Sequence, residues 1–172
     1  MTGTLSPQYT FETVVIALTG RFAHAAAVAA AEAPGRAYNP LFIHGGHGSS
    51  RTHLLHATGN YALELEPSLK VRYVRAAEFA SEFAVALRNG SQDGFRDGYL
   101  DIDMLLVDDI QDLDGQDDIQ AEFLRIFTAL HDGSKQLVIT ADRAASSLVS
   151  IEDCLRTRLG QGLVAEVVVL DD

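Results

Sequence analysis

The sequence predicts an α/β protein, a five-stranded parallel sheet with helices on both faces, on three observations. Residues 41–57 read as a short buried strand, a glycine-rich turn and the opening of a helix. Residues 101–109 hold a continuous apolar run that ends in two carboxylates, the pattern of a strand buried on both faces. Strand-like and helix-like stretches alternate along the chain, as a sheet joined by crossover helices requires.

In chain order, residues 1–8 are expected to be a loose terminus, with Tyr9-Thr10-Phe11 beginning an ordered lead-in. The alanine-dense residues 21–33 carry no Gly or Pro and predict a helix, ended by Pro34-Gly35. Pro40 introduces the first strand, 41–43, and the helix after the turn runs to about Leu65 with Leu54, Leu55, Tyr61 and Ala62 facing inward. A second strand spans 71–74. The next helix shows Phe79, Phe83 and Leu87 at i, i+4, i+8 spacing. Asn89-Gly90-Ser91 closes it, and Gly94 to Gly98 predicts a broken, polar passage. The apolar run near 104–107 is the third strand, 117–131 a helix with Ile119, Phe123, Ile126, Phe127 and Leu130 on one face, and 136–140 the fourth strand. A short helical passage near 151–158 leads to a fifth strand, 163–170.

With 172 residues and 47% hydrophobic content, the chain can bury a full core and fits one domain, 1–172. No run of about 18 apolar residues exists, so no membrane span is expected. A single cysteine, Cys154, excludes an internal disulfide and suits a reducing cytoplasm. The net charge of −11 argues against tight nucleic-acid binding by this domain alone, because phosphate contacts need Lys and Arg.

The glycine-rich turn fits the phosphate-binding frame G-x-x-x-x-G-K-[ST], in which backbone N–H groups cradle phosphates at a helix N-terminus. Gly45 is the first glycine and Thr52 the magnesium-side hydroxyl, while Ser50 replaces the second glycine and Arg51 the lysine. Gly45, Gly46, Gly48, Ser50, Arg51, Thr52 and His53 are therefore the candidate phosphate-binding residues. Arginine keeps the charge but replaces a slim stem with a planar fork, and Ser50 adds bulk where glycine lets the backbone approach the ligand. Anion affinity is expected; efficient hydrolysis is not. Asp108-Asp109, after an apolar strand, has the form of a Walker B element. Asp108 would hold Mg²⁺ together with Thr52, and Asp109 would polarise the attacking water. The loop-bearing strand is expected one strand earlier in the sheet.

Other chemistries fit less well. The acids of 108–118 lack EF-hand spacing, since Ile110 stands where the first ligand belongs relative to Gly115, and they read as a solvated face. His44, His47, His53 and His56 match no zinc signature. His44-Gly45-Gly46 resembles a lipase oxyanion loop, but no G-x-S-x-G nucleophile elbow follows.

Over nearly its whole length the chain resembles the AAA+ ATPase core of the bacterial replication initiator DnaA and its paralogues. The likeness is carried by Tyr9-Thr10-Phe11-Glu12, Arg21-Phe22-Ala23-His24, Tyr38-Asn39-Pro40-Leu41-Phe42-Ile43, Thr52-His53-Leu54-Leu55-His56-Ala57, Val71-Arg72-Tyr73-Val74, Leu105-Leu106-Val107-Asp108-Asp109-Ile110-Gln111, and Glu152-Asp153 with Leu155-Arg156-Thr157-Arg158. The resemblance implies an AAA+ three-layer fold, ATP or ADP with Mg²⁺ as ligand, head-to-tail oligomers and a role in replication initiation. It places Arg21 in the adenine-side segment, Asp142 at the sensor position, and Arg158 at the arginine finger that reaches a neighbour's phosphates. The departures are Ser50, Arg51, Gly20 in place of asparagine, Cys154 in place of arginine and Asp112 in place of an aromatic residue. The segment 95–100 is stripped of most basic residues that contact single-stranded DNA in the family. The helical lid and duplex-binding domain are expected to be absent from this sequence.

Two roles follow from the resemblance. One is a module that docks on replication proteins, DnaA or itself among them, with Arg158 acting in trans and weak or lost hydrolysis of its own. The other is a working ATP-binding initiator or helicase loader in which Arg51 serves as the lysine. An inert relic is a third, weaker reading.

Overall fold

The computed structural model describes residues 4–13, 20–46 and 50–168. Five parallel strands, β1 (Leu41–His44), β2 (Val71–Arg75), β3 (Met104–Asp108), β4 (Gln136–Ala141) and β5 (Leu163–Glu166), form one sheet in the order β2-β3-β4-β1-β5. Among the described residues, six α-helices connect and cover them: α1 (Arg21–Glu32), α2 (Arg51–Leu65), α3 (Ala76–Arg88), α4 (Gln92–Leu100), α5 (Asp117–Asp132) and α6 (Asp153–Leu159). Strand periodicity sorts the core into two layers. Leu41, Ile43, Leu106 and Val138 face α1 and α2, while Phe42, Leu105, Leu137 and Ile139 face α3, α4, α5 and α6. Every residue of β3 and β4 is buried, which explains their unbroken apolar character.

The alanines of α1 have a packing reason. Ala23, Ala26, Ala27, Ala30 and Ala31 are all buried, and small side chains let α1 lie close against α2. Gly59 lets α2 lie close to β3 and the lead-in, since a Cβ there would meet Leu106 Cδ1 at 2.8 Å and Leu5 Cδ1 at 2.9 Å.

Several expectations are corrected. The passage from Gly94 to Gly98 is not broken: it lies inside helix α4. Phe95 and Tyr99, one helical turn apart, both pack on Phe79, and Tyr99 is fully buried. That burial outweighs a helix cost of about 1 kcal/mol per glycine. A Cβ at Gly98 would meet nothing within 4 Å. Gly98→Ala is therefore expected to stabilise the protein by about 1 kcal/mol, read as a rise in the thermal unfolding midpoint.

Leu87 leaves the predicted stripe and is half exposed, while Ala86 takes the inner place. At 3.6 residues per turn, i+7 returns closer to the face of Phe79 than i+8 does. Tyr61 is only half buried, its hydroxyl donating to Glu32 Oε1 at 3.1 Å. The ordered lead-in begins earlier than Tyr9: Leu5 packs in the α1–α2 core, and the Ser6 N–H donates to His56 Nδ1 at 2.9 Å. The strand bearing the glycine-rich loop is not adjacent to the acid-bearing strand, because β4 lies between β1 and β3. Strand β5 spans Leu163–Glu166, and residues 169–170 of the longer expected strand lie outside the described residues.

Candidate nucleotide site

The carboxyl ends of β1, β3 and β4 meet the N-terminus of α2, which is where open α/β sheets hold ligands. Gly45 follows β1, and its N–H donates to Ala141 O at 3.2 Å. A Cβ there would lie 2.2 Å from Val167 O, so packing between neighbouring backbones demands glycine. Gly46 faces open space. Gly48 lies outside the described residues, as does His47. Ser50 is the N-cap of α2 with φ −90° and makes no side-chain cap bond. Any residue can adopt that backbone, so glycine in the family frame serves close approach rather than conformation.

Asp108, at the end of β3 and 2% exposed, is the hub. Thr52 Oγ1 from α2 and Tyr73 OH from β2 both donate to its Oδ2, each at 2.8 Å, and Thr140 Oγ1 from β4 donates to Oδ1 at 2.5 Å. Thr140 Oγ1 also accepts the Asp109 N–H at 2.9 Å. Burial, reinforced by the Asp108 carboxylate, pushes the Tyr73 phenol far above its ordinary range, so it stays a proton donor. A carboxylate has about four lone-pair sites, and three hydroxyls leave one for a metal-bound water. The Thr52–Asp108 pair thus fits a magnesium ion held by the Thr52 hydroxyl and, through water, by Asp108.

Asp109 adopts a left-handed conformation, φ 59°, as the chain turns into a short 3-10 helix, Ile110–Leu113. Its Oδ1 lies 3.4 Å from Arg51 Nη1, with side chains 24% and 11% exposed. The cation of the phosphate loop and the expected water-polarising acid are thus paired with each other. Asp142, one residue beyond β4, receives the Arg143 guanidinium on both carboxylate oxygens, at 2.7 and 3.0 Å, and its N–H donates to Gln111 Oε1 at 3.1 Å.

Asp112 sits beside these acids. Partial desolvation, then the charge of Asp109, raise its carboxyl above the ordinary value; Arg75 opposes this, and Asp142 and Asp108 add to it. A carboxyl raised in the folded state contributes stability that is full below its unfolded pKa and is lost as pH rises through the folded one. Asp112→Asn should therefore raise the unfolding midpoint at pH 7 and leave it unchanged near pH 3. Because the side chain is solvent-screened, the gain should be under about 1 kcal/mol.

The remaining expected residues are dispersed. The His53 ring contacts the lead-in, its Nε2 within 2.9 Å of Thr13 Oγ1 and 3.0 Å of Thr10 O. Arg21 is exposed at the start of α1, after Gly20 with φ 78°. Arg158, near the end of α6, donates to Gln161 Oε1 at 3.2 Å, and among the described residues no hydrogen bond or ion pair joins it to the Asp108 cluster. Nor do the described residues contain a group of three or more His, Cys, Asp or Glu placed to hold a metal. Sequence reasoning missed Tyr73 and Thr140. Thr140 is a polar residue near the end of an apolar strand, and Tyr73 a hydroxyl-bearing side chain in the middle of β2.

A sequence model of the bacterial DnaA ATPase domain matches residues 5–166. The chain belongs to the bacterial DnaA ATPase-domain family. Its fold is the AAA+ P-loop NTPase fold of DnaA. Domain III of Thermotoga maritima DnaA superposes with a TM-score of 0.92 at 42% identity, covering 96% of this chain and 69% of that one. AMPPCP-bound DnaA from Aquifex aeolicus gives 0.91 at 36% identity, covering 96% and 51%. A DnaA structure bound to AMPPCP and single-stranded DNA gives 0.92 at 36%, covering 98% and 52%. The chain thus spans about half the length of these last two relatives. The DnaC helicase loader, at 15% identity and TM-score 0.75, shares the fold alone. Set on the phosphate-loop pattern, the sequence keeps the first glycine and the threonine and carries serine and arginine at the second-glycine and lysine positions. No helix among the described residues is long and apolar enough to cross a membrane.

Proposed function

We propose that this DnaA-family domain acts in bacterial chromosome replication initiation or its control, as a cytoplasmic module that contacts replication proteins while its own nucleotide site works weakly. The observation that supports this most is the Arg51–Asp109 pair. The loop cation leans on the acid that would polarise water, so each would have to leave the other before either could serve a nucleotide. When ATP or ADP binds, Gly45, Gly46, Gly48 and Ser50 would present backbone to the phosphates, with Thr52 and Asp108 holding Mg²⁺. The nucleotide supplies the transferable phosphoryl group. Arg21 would border the base, and Asp142 would sense the phosphate end of the site. Arg158 would reach the phosphates of an adjoining subunit, DnaA or a second copy, where a guanidinium stabilises charge on the transferring group.

Calorimetric titration with ATP and ADP in the presence of Mg²⁺ tests the first part. A dissociation constant near or above about 100 µM is expected. Binding at about 1 µM would favour a second reading, a working ATP-dependent initiator or loader, for which the intact Thr52–Asp108–Thr140 geometry speaks. The trans part is tested by the ATPase rate of purified DnaA. Wild type should change that rate and Arg158→Ala should not; an equal rate with both would sink the finger role.

Single-stranded DNA is a weak ligand on this reading. Arg72 is bound to Glu82 and lies over the Tyr99 ring, and Arg96 is bound through two nitrogens to Glu122. These arginines of the β2–α4 region are committed internally. At near-physiological salt, fluorescence anisotropy with labelled oligothymidine should show no saturation at protein concentrations where tens of micromolar affinity would be visible.

A further inference from the structure

A depression in two adjoining parts flanks the start of α5, one part against α3 and one against the loop before α6, and no residue assigned above to nucleotide or phosphate contact lines either. Its first part, about 500 Å³, lies between Phe83 and Leu87 of α3 and Ile119 of α5. Its second part, about 430 Å³, runs along 149–153 to Arg156, and the two parts share Gly115 and Asp117. The floor of the first part is apolar: Phe83 is buried beneath it and Leu87 is 50% exposed. The second part is mainly polar, with Val149, the most exposed large apolar side chain among the described residues at 79%, standing at its rim. The walls are acidic. Asp117 and Asp118 flank the first part, and Glu152 and Asp153 the second. Among the described residues Arg156 is the one cation lining either part, and its guanidinium is already bonded to Asp153.

The shape is held from below. Gln120, 1% exposed, donates to Leu113 O at 2.7 Å and Ser150 O at 2.9 Å, and accepts the Glu152 N–H at 2.8 Å. Gly115 N donates to Ser150 O at 3.1 Å, closing the same seam. A buried amide that satisfies three backbone groups from two segments fixes the walls before anything binds, which lowers the ordering cost of association.

We infer that this depression is a docking groove for a cationic amphipathic segment of a partner protein. Apolar side chains would fill the space between Phe83, Leu87 and Ile119, and Arg or Lys would meet Asp117, Asp118 and Glu152. The carboxylates repel nucleic acid and anionic membrane alike. The inference stands apart from the nucleotide site, since the groove shares no residue with it and does not require Arg158 to act in trans.

The test uses the full chain, ¹⁵N-labelled, titrated with a helical peptide of about 18 residues carrying leucine on one face and arginine on the other. A peptide of the same pattern with glutamate for arginine is the control. The arginine peptide should shift amides of 83–88, 113–119 and 149–153 saturably, and the glutamate peptide should shift none. Leu87→Asp, and separately Asp117→Asn with Asp118→Asn, should each weaken binding about tenfold, roughly 1.4 kcal/mol. Glu64→Lys with Glu66→Lys, at the end of α2, should leave it unchanged. Shifts spread over all acidic surfaces, or equal weakening by the α2 variant, would overturn the inference. So would shifts at these residues that depend on protein concentration rather than peptide, which would assign the groove to a second copy of the chain.

Discussion

Ser50→Gly combined with Arg51→Lys should tighten ATP binding at least tenfold, a gain of about 1.4 kcal/mol or more. Two physical changes add. Lysine carries a compact charge on a slim stem and cannot lay a planar fork across to Asp109, so the 3.4 Å pair gives way to a cation directed at phosphate. Glycine at 50 removes a side chain from the place where α2 offers its first N–H groups. The surrounding frame needs no repair, because Gly45 already fits between Ala141 O and Val167 O and Thr52 already bonds Asp108. Calorimetry on the double variant and on each single variant checks this. An unchanged affinity in the double variant would mean that the loop substitutions are not what limits binding.

Asp108→Ala should cost about 3 kcal/mol of stability, visible as a lowered urea midpoint with the slope preserved. Its carboxylate accepts from three elements at once, α2 through Thr52, β2 through Tyr73 and β4 through Thr140. Truncation leaves those hydroxyls without their acceptor, and Tyr73 and Thr140 are buried. Asp108→Asn keeps the shape and one acceptor oxygen and should lose about half as much. If Asp108→Ala unfolded at the wild-type midpoint, the carboxylate would be a ligand site with no part in holding the sheet to α2.

The strand and the helix that flank the loop were legible because their signal is local. A strand, a glycine-rich turn and a helix start occupy consecutive residues, and an apolar run ending in acids marks a strand end without reference to anything distant. Helix α4 was not legible. Gly94 and Gly98 argue against a helix by propensity, and the opposing term, burial of Tyr99 and packing of Phe95 on Phe79, exists only once α3 and α4 meet. Leu87 falls outside the buried stripe for a simpler reason: four-residue steps drift off a 3.6-residue period.

By itself, then, the sequence determined the α/β class, the order of the strands and of every described helix but α4, and the two positions at which it departs from the phosphate-loop pattern, since each rests on periodicity or adjacent residues. The tertiary structure decided what those positions touch. Strand order inserts β4 between β1 and β3 and so brings Thr140 to Asp108, and the left-handed turn at Asp109 brings its carboxylate to Arg51. Strand order and side-chain pairing are settled by long-range packing, in which every element competes for neighbours at once, and no local pattern encodes that outcome.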